Sequence, residues 1–176
     1  MSIRDEIRSR TQESPPRLFF LPPLIPALPI VRELFVSQEV YRVASPPWST
    51  ADPGPRFAQM RAFLDIWTSG ALISVANNPY RKGRSTFMAR IDPAPDEVFD
   101  IRCIAPNPGM RVLGCFADRD LFVALTTAMR EDLATDKDWR NEREACKAAW
   151  RRLFPGYRPF SGANLNEYIS ANILLV

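Results

Sequence analysis

The sequence predicts an α+β fold in a single domain. Two stretches, near 55–69 and 137–154, repeat their apolar residues at helical spacing, and between them a run from 98 to 127 alternates as strands do. Short turn motifs interrupt that run, which is the pattern of an antiparallel meander. The chain has 176 residues, 46% of them hydrophobic. That length suits one domain of roughly 100–200 residues, long enough to bury most of its apolar surface without disulfides or metals. The expected organisation is a Pro-rich extended N-terminal arm over residues 1–50 and one α+β domain over 51–176.

Residues 2–11 fit a short amphipathic helix. Prolines then crowd the stretch from Pro15 to Pro55; the chain holds 17, near twice the usual share of about 5%. Proline removes a backbone donor and clashes inside a helix, so this third is not continuous helix. Leu18 to Val31 is apolar but broken by Pro22, Pro23, Pro26 and Pro29. It reads as an extended, polyproline-like segment whose side chains lie on the domain or on a partner. It is too short to span a bilayer, and no membrane association is expected.

From Glu33 to Val43 the residues favour one or two strands (Leu34, Phe35, Val36, Val40, Tyr41, Val43). Ser45 to Pro55 is loop. A helix follows over about 55–69, with Phe57, Met60, Phe63, Leu64 and Trp67 on one face and Gly70 as its stop. Ala71 to Ala76 fits a short strand or a further helical turn, and Asn77 to Ser85 is a basic loop. Val98 to Ile104, Arg111 to Ala117 and Leu121 to Thr127 are strands joined by Pro106-Asn107-Pro108-Gly109 and Asp118-Arg119-Asp120. The last long helix runs from about Lys137 to Phe154. Trp139, Cys146, Ala149, Trp150 and Leu153 form its apolar stripe, and Arg140, Arg143, Lys147 and Arg151 line another face. One more turn fits Asn164 to Ile169, before an apolar Ile-Leu-Leu-Val tail.

Composition excludes much chemistry. There is no histidine, which removes Ser-His-Asp triads, Cys-His dyads and histidine bases together. The cysteines, Cys103, Cys115 and Cys146, are sparse, odd in number and far apart, which fits a reducing compartment and no disulfide framework. Cys103 and Cys115 read as small buried hydrophobes. Without histidine or a CxxC pair no metal is expected. No phosphate-binding glycine loop, nucleophile elbow or dinucleotide fingerprint occurs, so no cofactor is expected either. The start lacks the order of a signal peptide, and the expected location is the cytoplasm. Net charge is +3, and its lysines are Lys82, Lys137 and Lys147, so the positive side is nearly all arginine. Arginine forks suit phosphate, although a GC-rich coding bias produces the same composition.

Basic residues recur beside the predicted sheet at Arg81, Lys82, Arg84, Arg90, Arg102, Arg111, Arg119 and Arg130. The segments Val98-Phe-Asp-Ile-Arg-Cys-Ile, Pro-Gly-Met-Arg111-Val-Leu-Gly-Cys-Phe and Leu-Phe-Val-Ala-Leu-Thr-Thr-Ala-Met-Arg130 carry a resemblance. Over about residues 56–130 the chain resembles the RelE/ParE toxin family of bacteria. The resemblance implies a small antiparallel sheet of three to five strands with helices packed on one face, here extended by the Pro-rich arm and a C-terminal helix. It further implies an endoribonuclease in which Arg111 holds the scissile phosphate, Arg130 stabilises the transition state and Arg102 stands where a first-strand lysine often lies. Arg81, Lys82, Arg84 and Arg90 are the matching substrate-binding candidates. Attack by a ribose 2′-hydroxyl needs charge stabilisation, which arginine supplies without metal or histidine.

Departures accompany the resemblance. Asp100 occupies an often basic position, where it repels phosphate or serves as a base. Glu131, Asp132 and Asp136 stand where an aromatic residue is expected after Arg130. The plainer reading of Arg102 and Arg111 is solvent-facing residues of alternating strands, and of Arg130 a surface residue. The first functional expectation is therefore a toxin-type protein of a toxin–antitoxin-like pair, with an antitoxin protein and RNA or the ribosome as partners. The alternative is a non-catalytic interaction or assembly protein, docking or forming oligomers through the Pro-rich arm and the apolar tail. A nucleic-acid-binding regulator is the third.

Overall fold

The computed structural model describes residues 2–76 and 85–176. Helix α1 (Ile3–Gln12) is followed by strands β1 (Leu18–Phe20) and β2 (Glu33–Ser37), then helices α2 (Gln38–Ala44) and α3 (Gly54–Thr68). Strands β3 (Ile73–Val75), β4 (Met88–Arg90), β5 (Phe99–Cys103), β6 (Met110–Asp118) and β7 (Leu121–Met129) come next. Helices α4 (Asp136–Leu153) and α5 (Leu165–Tyr168) and strand β8 (Ile173–Leu175) complete the chain. The class is α+β, as the sequence predicts. Among the described residues no helix is long and apolar enough to cross a membrane.

The sheet differs from expectation. It has eight strands, in the order β1-β2-β7-β6-β5-β4-β3-β8, and it is mixed. The predicted meander β5-β6-β7 is antiparallel, and β4 extends it with the same sense. The β2–β7, β3–β4 and β3–β8 pairs are parallel. Helices cover both faces instead of one. On the first face α2, α3 and α5 bury Val40, Ala44, Met60, Leu64, Trp67, Leu165 and Tyr168 against Val112, Phe116, Phe122 and Ala124. On the second, α1 and α4 bury Ile7, Cys146, Ala149, Trp150 and Leu153 against Leu113, Cys115, Leu121, Val123 and Leu125. The reason is legible in β6 and β7, whose residues are almost all apolar. A strand with both pleat faces in the core reads as a continuous apolar run, and needs a layer on each side.

Local chemistry explains the element ends. Ser2 and Asp5 form a capping box at α1, and Thr135 and Asp138 repeat it at α4; each cap stabilises by about 1 kcal/mol. The strand expected through Val43 stops at Ser37, because the Ser37 hydroxyl accepts from the Val40 N–H and starts α2. The β-branched Val40 and Val43 then serve the helix, since capping and burial outweigh β-propensity. Gly70 ends α3 at φ 75, a left-handed conformation that suits glycine. At the β6 bulge a Cβ on Gly114 would stand 2.2 Å from the Val123 carbonyl oxygen, so only glycine fits.

Residues 18–20 and 33–37 of the arm join the sheet as β1 and β2. Between and after them the Pro-rich segment is pinned to α3 and the tail. Buried Arg61 donates to the Ala44 carbonyl and pairs with Asp65 at 2.8 Å, and Arg32 donates to the carbonyls of Ala171 (2.9 Å) and Ala71 (3.2 Å). Arg32 also stacks over Trp67 at 5.1 Å. Arginine suits this role because its five donors can satisfy several loop carbonyls at once.

Candidate functional site

The β4–β5–β6–β7 register decides which arginines meet. Asp100 is opposite Leu113, and Arg102 is opposite Arg111. Phe99, Ile101 and Cys103 alternate with them and belong to the first core face. Asp100, Arg102 and Arg111 therefore point to the second face. Arg111 is also opposite Ala128 on β7, and Arg130 lies two residues further on, its N–H bonded to the Gly109 carbonyl at 2.9 Å. Three of the arginines singled out in the sequence thus gather at one place.

Asp100 is their hub, fully buried. Its carboxylate accepts from Arg102 Nε at 3.1 Å to each oxygen and stands 3.4 Å from Arg111 Nε. Arg102 Nη1 also donates to Thr86 Oγ1 at 3.1 Å, and Arg111 Nη1 to the Met110 carbonyl at 3.1 Å. The Arg111 Nε has no hydrogen-bond partner among the described residues. Arg130, exposed, donates to the Leu133 carbonyl at 2.7 Å and stacks over Trp139 of α4 at 6.0 Å. Arg56 on α3 pairs with Glu131 at 2.6 Å, which holds that carboxyl below its usual range.

The electrostatics follow from burial. Desolvation pushes the Asp100 carboxyl above its ordinary value, although Arg102 and Arg111 pull it down. Burial lowers Arg111, with Asp100 opposing and the nearby charges of Arg102 and Arg130 adding to the effect. Cys103, beneath the cluster on the first face, is pushed up to about 12 by burial, so its thiol is inert at neutral pH. Two guanidinium groups bracket the one buried carboxylate, and the Arg130 charge stands close enough to act on Arg111. Such a site attracts anions, and its arginines are held by neighbours before any ligand arrives.

Arg90 does not join it. It is opposite Phe99, on the first face, and stacks against Phe99 and Tyr168. Arg81, Lys82 and Arg84 lie outside the described residues. On the basic face of α4, Arg143 and Lys147 both pair with Asp96 at 2.8 Å.

Sequence reasoning missed a second polar centre. Glu97 is 7% exposed and left-handed, φ 54, ending a short 3-10 turn (Ala94–Asp96). Its carboxylate accepts from Tyr168 Oη at 2.5 Å, Ser161 Oγ at 2.8 Å and Arg90 Nη1 at 3.4 Å. It borders a cleft of about 380 Å³ between α4 and residues 157–161, lined by Lys147, Trp150, Arg151, Tyr157 and Arg158. Nothing local in Pro95-Asp96-Glu97 announces this, because its partners come from 64 and 71 residues further on. Among the described residues no three of cysteine, aspartate and glutamate stand close enough to share a metal ion. Compared with known proteins, no family model matches the chain, and neither a curated protein nor a solved structure matches it.

Proposed function

We propose that this chain is a toxin-type protein that binds RNA phosphates at the Arg102–Arg111–Arg130 cluster and acts by binding more than by cutting. The observation that carries the reading is the gathering of these arginines around buried Asp100, with Arg130 exposed beside them. Guanidinium forks recognise phosphate bidentately, and a cluster with a positive excess gains affinity by releasing counterions. The antiparallel strands β5, β6 and β7 are the part of the fold on which a RelE/ParE-like reading rests. An antitoxin in that reading covers this face with an acidic segment. The cleaving form of the activity wants a base near the 2′-hydroxyl. Asp100 is sealed from solvent, and Glu131 is held low by Arg56, so neither is suited to it.

The test is anisotropy of a labelled single-stranded RNA at two salt concentrations, together with growth and mRNA integrity on induction in a bacterial host. The wild type is expected to bind with a steep salt dependence and to arrest growth with mRNA intact. Arg111→Ala with Arg130→Ala should weaken binding at least tenfold and reduce the salt slope by about one per lost phosphate contact. RNA cleavage that the double variant loses would instead establish the catalytic form. Neither binding nor arrest, at good soluble expression, ends the proposal.

A second reading has its own observation. Leu24, Ile25, Leu28, Ile30 and Val31 are exposed on one short stretch of the arm, with Ile25 59% open to solvent. Apolar side chains so concentrated mark an interface, which favours an interaction or assembly protein. Leu24→Ser with Ile25→Ser should leave the melting temperature unchanged and abolish arm-dependent assemblies seen by native mass spectrometry.

A further inference from the structure

We infer that β8 is a dimerisation strand, pairing antiparallel with β8 of a second copy of this chain. The inference names a partner for the assembly reading above and concerns a different part of the surface from residues 24–28.

The two edges of the sheet are finished differently. Edge strand β1 is flanked by α1, with the Arg17 N–H bonded to the Arg10 carbonyl, and Pro22 and Pro23 follow directly. Proline, charge and a covering helix are the usual means of closing an edge. At the other edge β8 has none of them among the described residues. Residues 169–176 read Ile-Ser-Ala-Asn-Ile-Leu-Leu-Val, without a charge or a proline.

The ladder says which groups are free. Ile73 N–H bonds the Asn172 carbonyl at 3.0 Å, and Val176 N–H bonds the Val75 carbonyl at 3.1 Å. With Ile73 aligned to Ile173 and Val75 to Leu175, residues 172, 174 and 176 turn their backbone groups toward β3. Ile173 and Leu175 therefore turn N–H and C=O outward, and among the described residues no strand meets them. Water satisfies such a row in the monomer, and a second strand offers the same bonds as a ladder.

A second copy fits it by symmetry. A two-fold axis at Leu174 sets Ile173 opposite Leu175 of the other copy, and each such pair exchanges both its hydrogen bonds. Leu174, 55% exposed, then meets its own equivalent. No like charges face each other, which is a condition for self-pairing in a chain of net charge +3. Three residues of strand alone fall short of the roughly 800 Å² per partner that a stable dimer buries. The rest is at hand: Leu72 is 70% exposed just before β3, and Val31 lies against Gly70, whose carbonyl accepts from Asn172 Nδ2 at 2.8 Å. Exposed apolar side chains thus stand at the end of the arm, before β3 and on β8.

The experiment is light scattering on the full-length chain after size exclusion, across a hundredfold range of concentration. The wild type should be a dimer that dissociates on dilution. Leu174→Lys sets two like charges on the axis. Leu175→Pro removes an outward N–H that the monomer does not use. Each should weaken dimerisation at least tenfold while circular dichroism and melting of the monomer stay unchanged. A wild type that is monomeric throughout overturns the pairing, and so does a dimer that both variants leave intact. Either outcome is distinguishable from failure of the arm reading, which the Leu24 and Ile25 variants address separately.

Discussion

Glu13 and Asp100 each sit between two arginines, yet their proton affinities move in opposite directions. Glu13 takes hydrogen bonds from Arg10 and Arg17 at the protein surface, and its carboxyl falls to about 2. Asp100 lies between Arg102 and Arg111 inside the sheet layer, and its carboxyl rises. The partners are of the same kind, although only Arg102 hydrogen-bonds Asp100, and the largest difference is water. At the surface the pair keeps its solvation and the attraction dominates. In the interior the lost hydration of the carboxylate exceeds what two guanidiniums return. An arginine pair around a carboxylate is therefore a stabilising device in one setting and a costly one in the other. Costly arrangements persist where function or specificity needs them, which is why the Asp100 cluster, and not the Glu13 one, carries the proposed site.

Glu97 sharpens the contrast, and removing it should have the largest effect. It is as buried as a core residue, but neutral hydroxyls from Tyr168 and Ser161 help Arg90 to satisfy it. Glu97→Ala removes the acceptor of the buried Tyr168 hydroxyl and the ion pair of half-buried Arg90, which keeps its bond to Tyr168 Oη. We expect a loss of about 1–3 kcal/mol, or about 5 °C in melting temperature for a chain of this size, read by differential scanning calorimetry. An unmoved transition would mean that Glu97 resembles Asp100, and would remove the distinction drawn between them.

Asp100→Asn comes next, with the opposite sign for stability. A folded-state value raised above the ordinary one contributes stability below that ordinary value and loses it as pH rises through the folded value. At neutral pH the wild type therefore carries a cost that the neutral isostere avoids. Melting of Asp100→Asn at pH 7 should equal or exceed that of the wild type, and the two should converge toward pH 3. With the negative charge gone, phosphate or RNA should bind severalfold more tightly by titration calorimetry. A variant that is less stable at pH 7 and binds no better contradicts the role given to Asp100.

Much of this architecture is legible in the residues. Helices α3 and α4 follow from apolar spacing at Met60, Leu64 and Trp67 and at Cys146, Ala149, Trp150 and Leu153, and the meander follows from alternation and turn chemistry. A strand from Glu33 and a short strand within 71–76 are legible, but their parallel pairing is not. Strands β3, β4 and β8 have three residues each, below the length at which alternation can be recognised, and their partners are set by packing across long loops. The arginine cluster was half visible. Arg102, Arg111 and Arg130 stand out as residue types beside strands, and strand register fixes their meeting. Arg90 looks equivalent in sequence, yet the parity of β4 against β5 sends it to the opposite face. Glu97 with Tyr168 had no local signal at all.

The smallest expected effect is at Glu13, and it tests the surface half of the comparison. Its folded value, about 2, lies below the ordinary 4.5, so its contribution to stability is present above that ordinary value and lost as pH falls toward 2. Glu13→Gln should therefore lower the melting temperature slightly at pH 7 in low salt, because the bridges to Arg10 and Arg17 at the end of α1 are lost. The difference should close as the buffer is taken below pH 2, where the wild-type carboxylate is also neutral, and shrink in 1 M salt, where surface charges are screened. Asp100→Asn should respond weakly to salt, since water and ions do not reach it. If both variants responded to salt alike, burial would not be what separates the two carboxylates, and the case for the Asp100 cluster as an anion site would lose its physical basis.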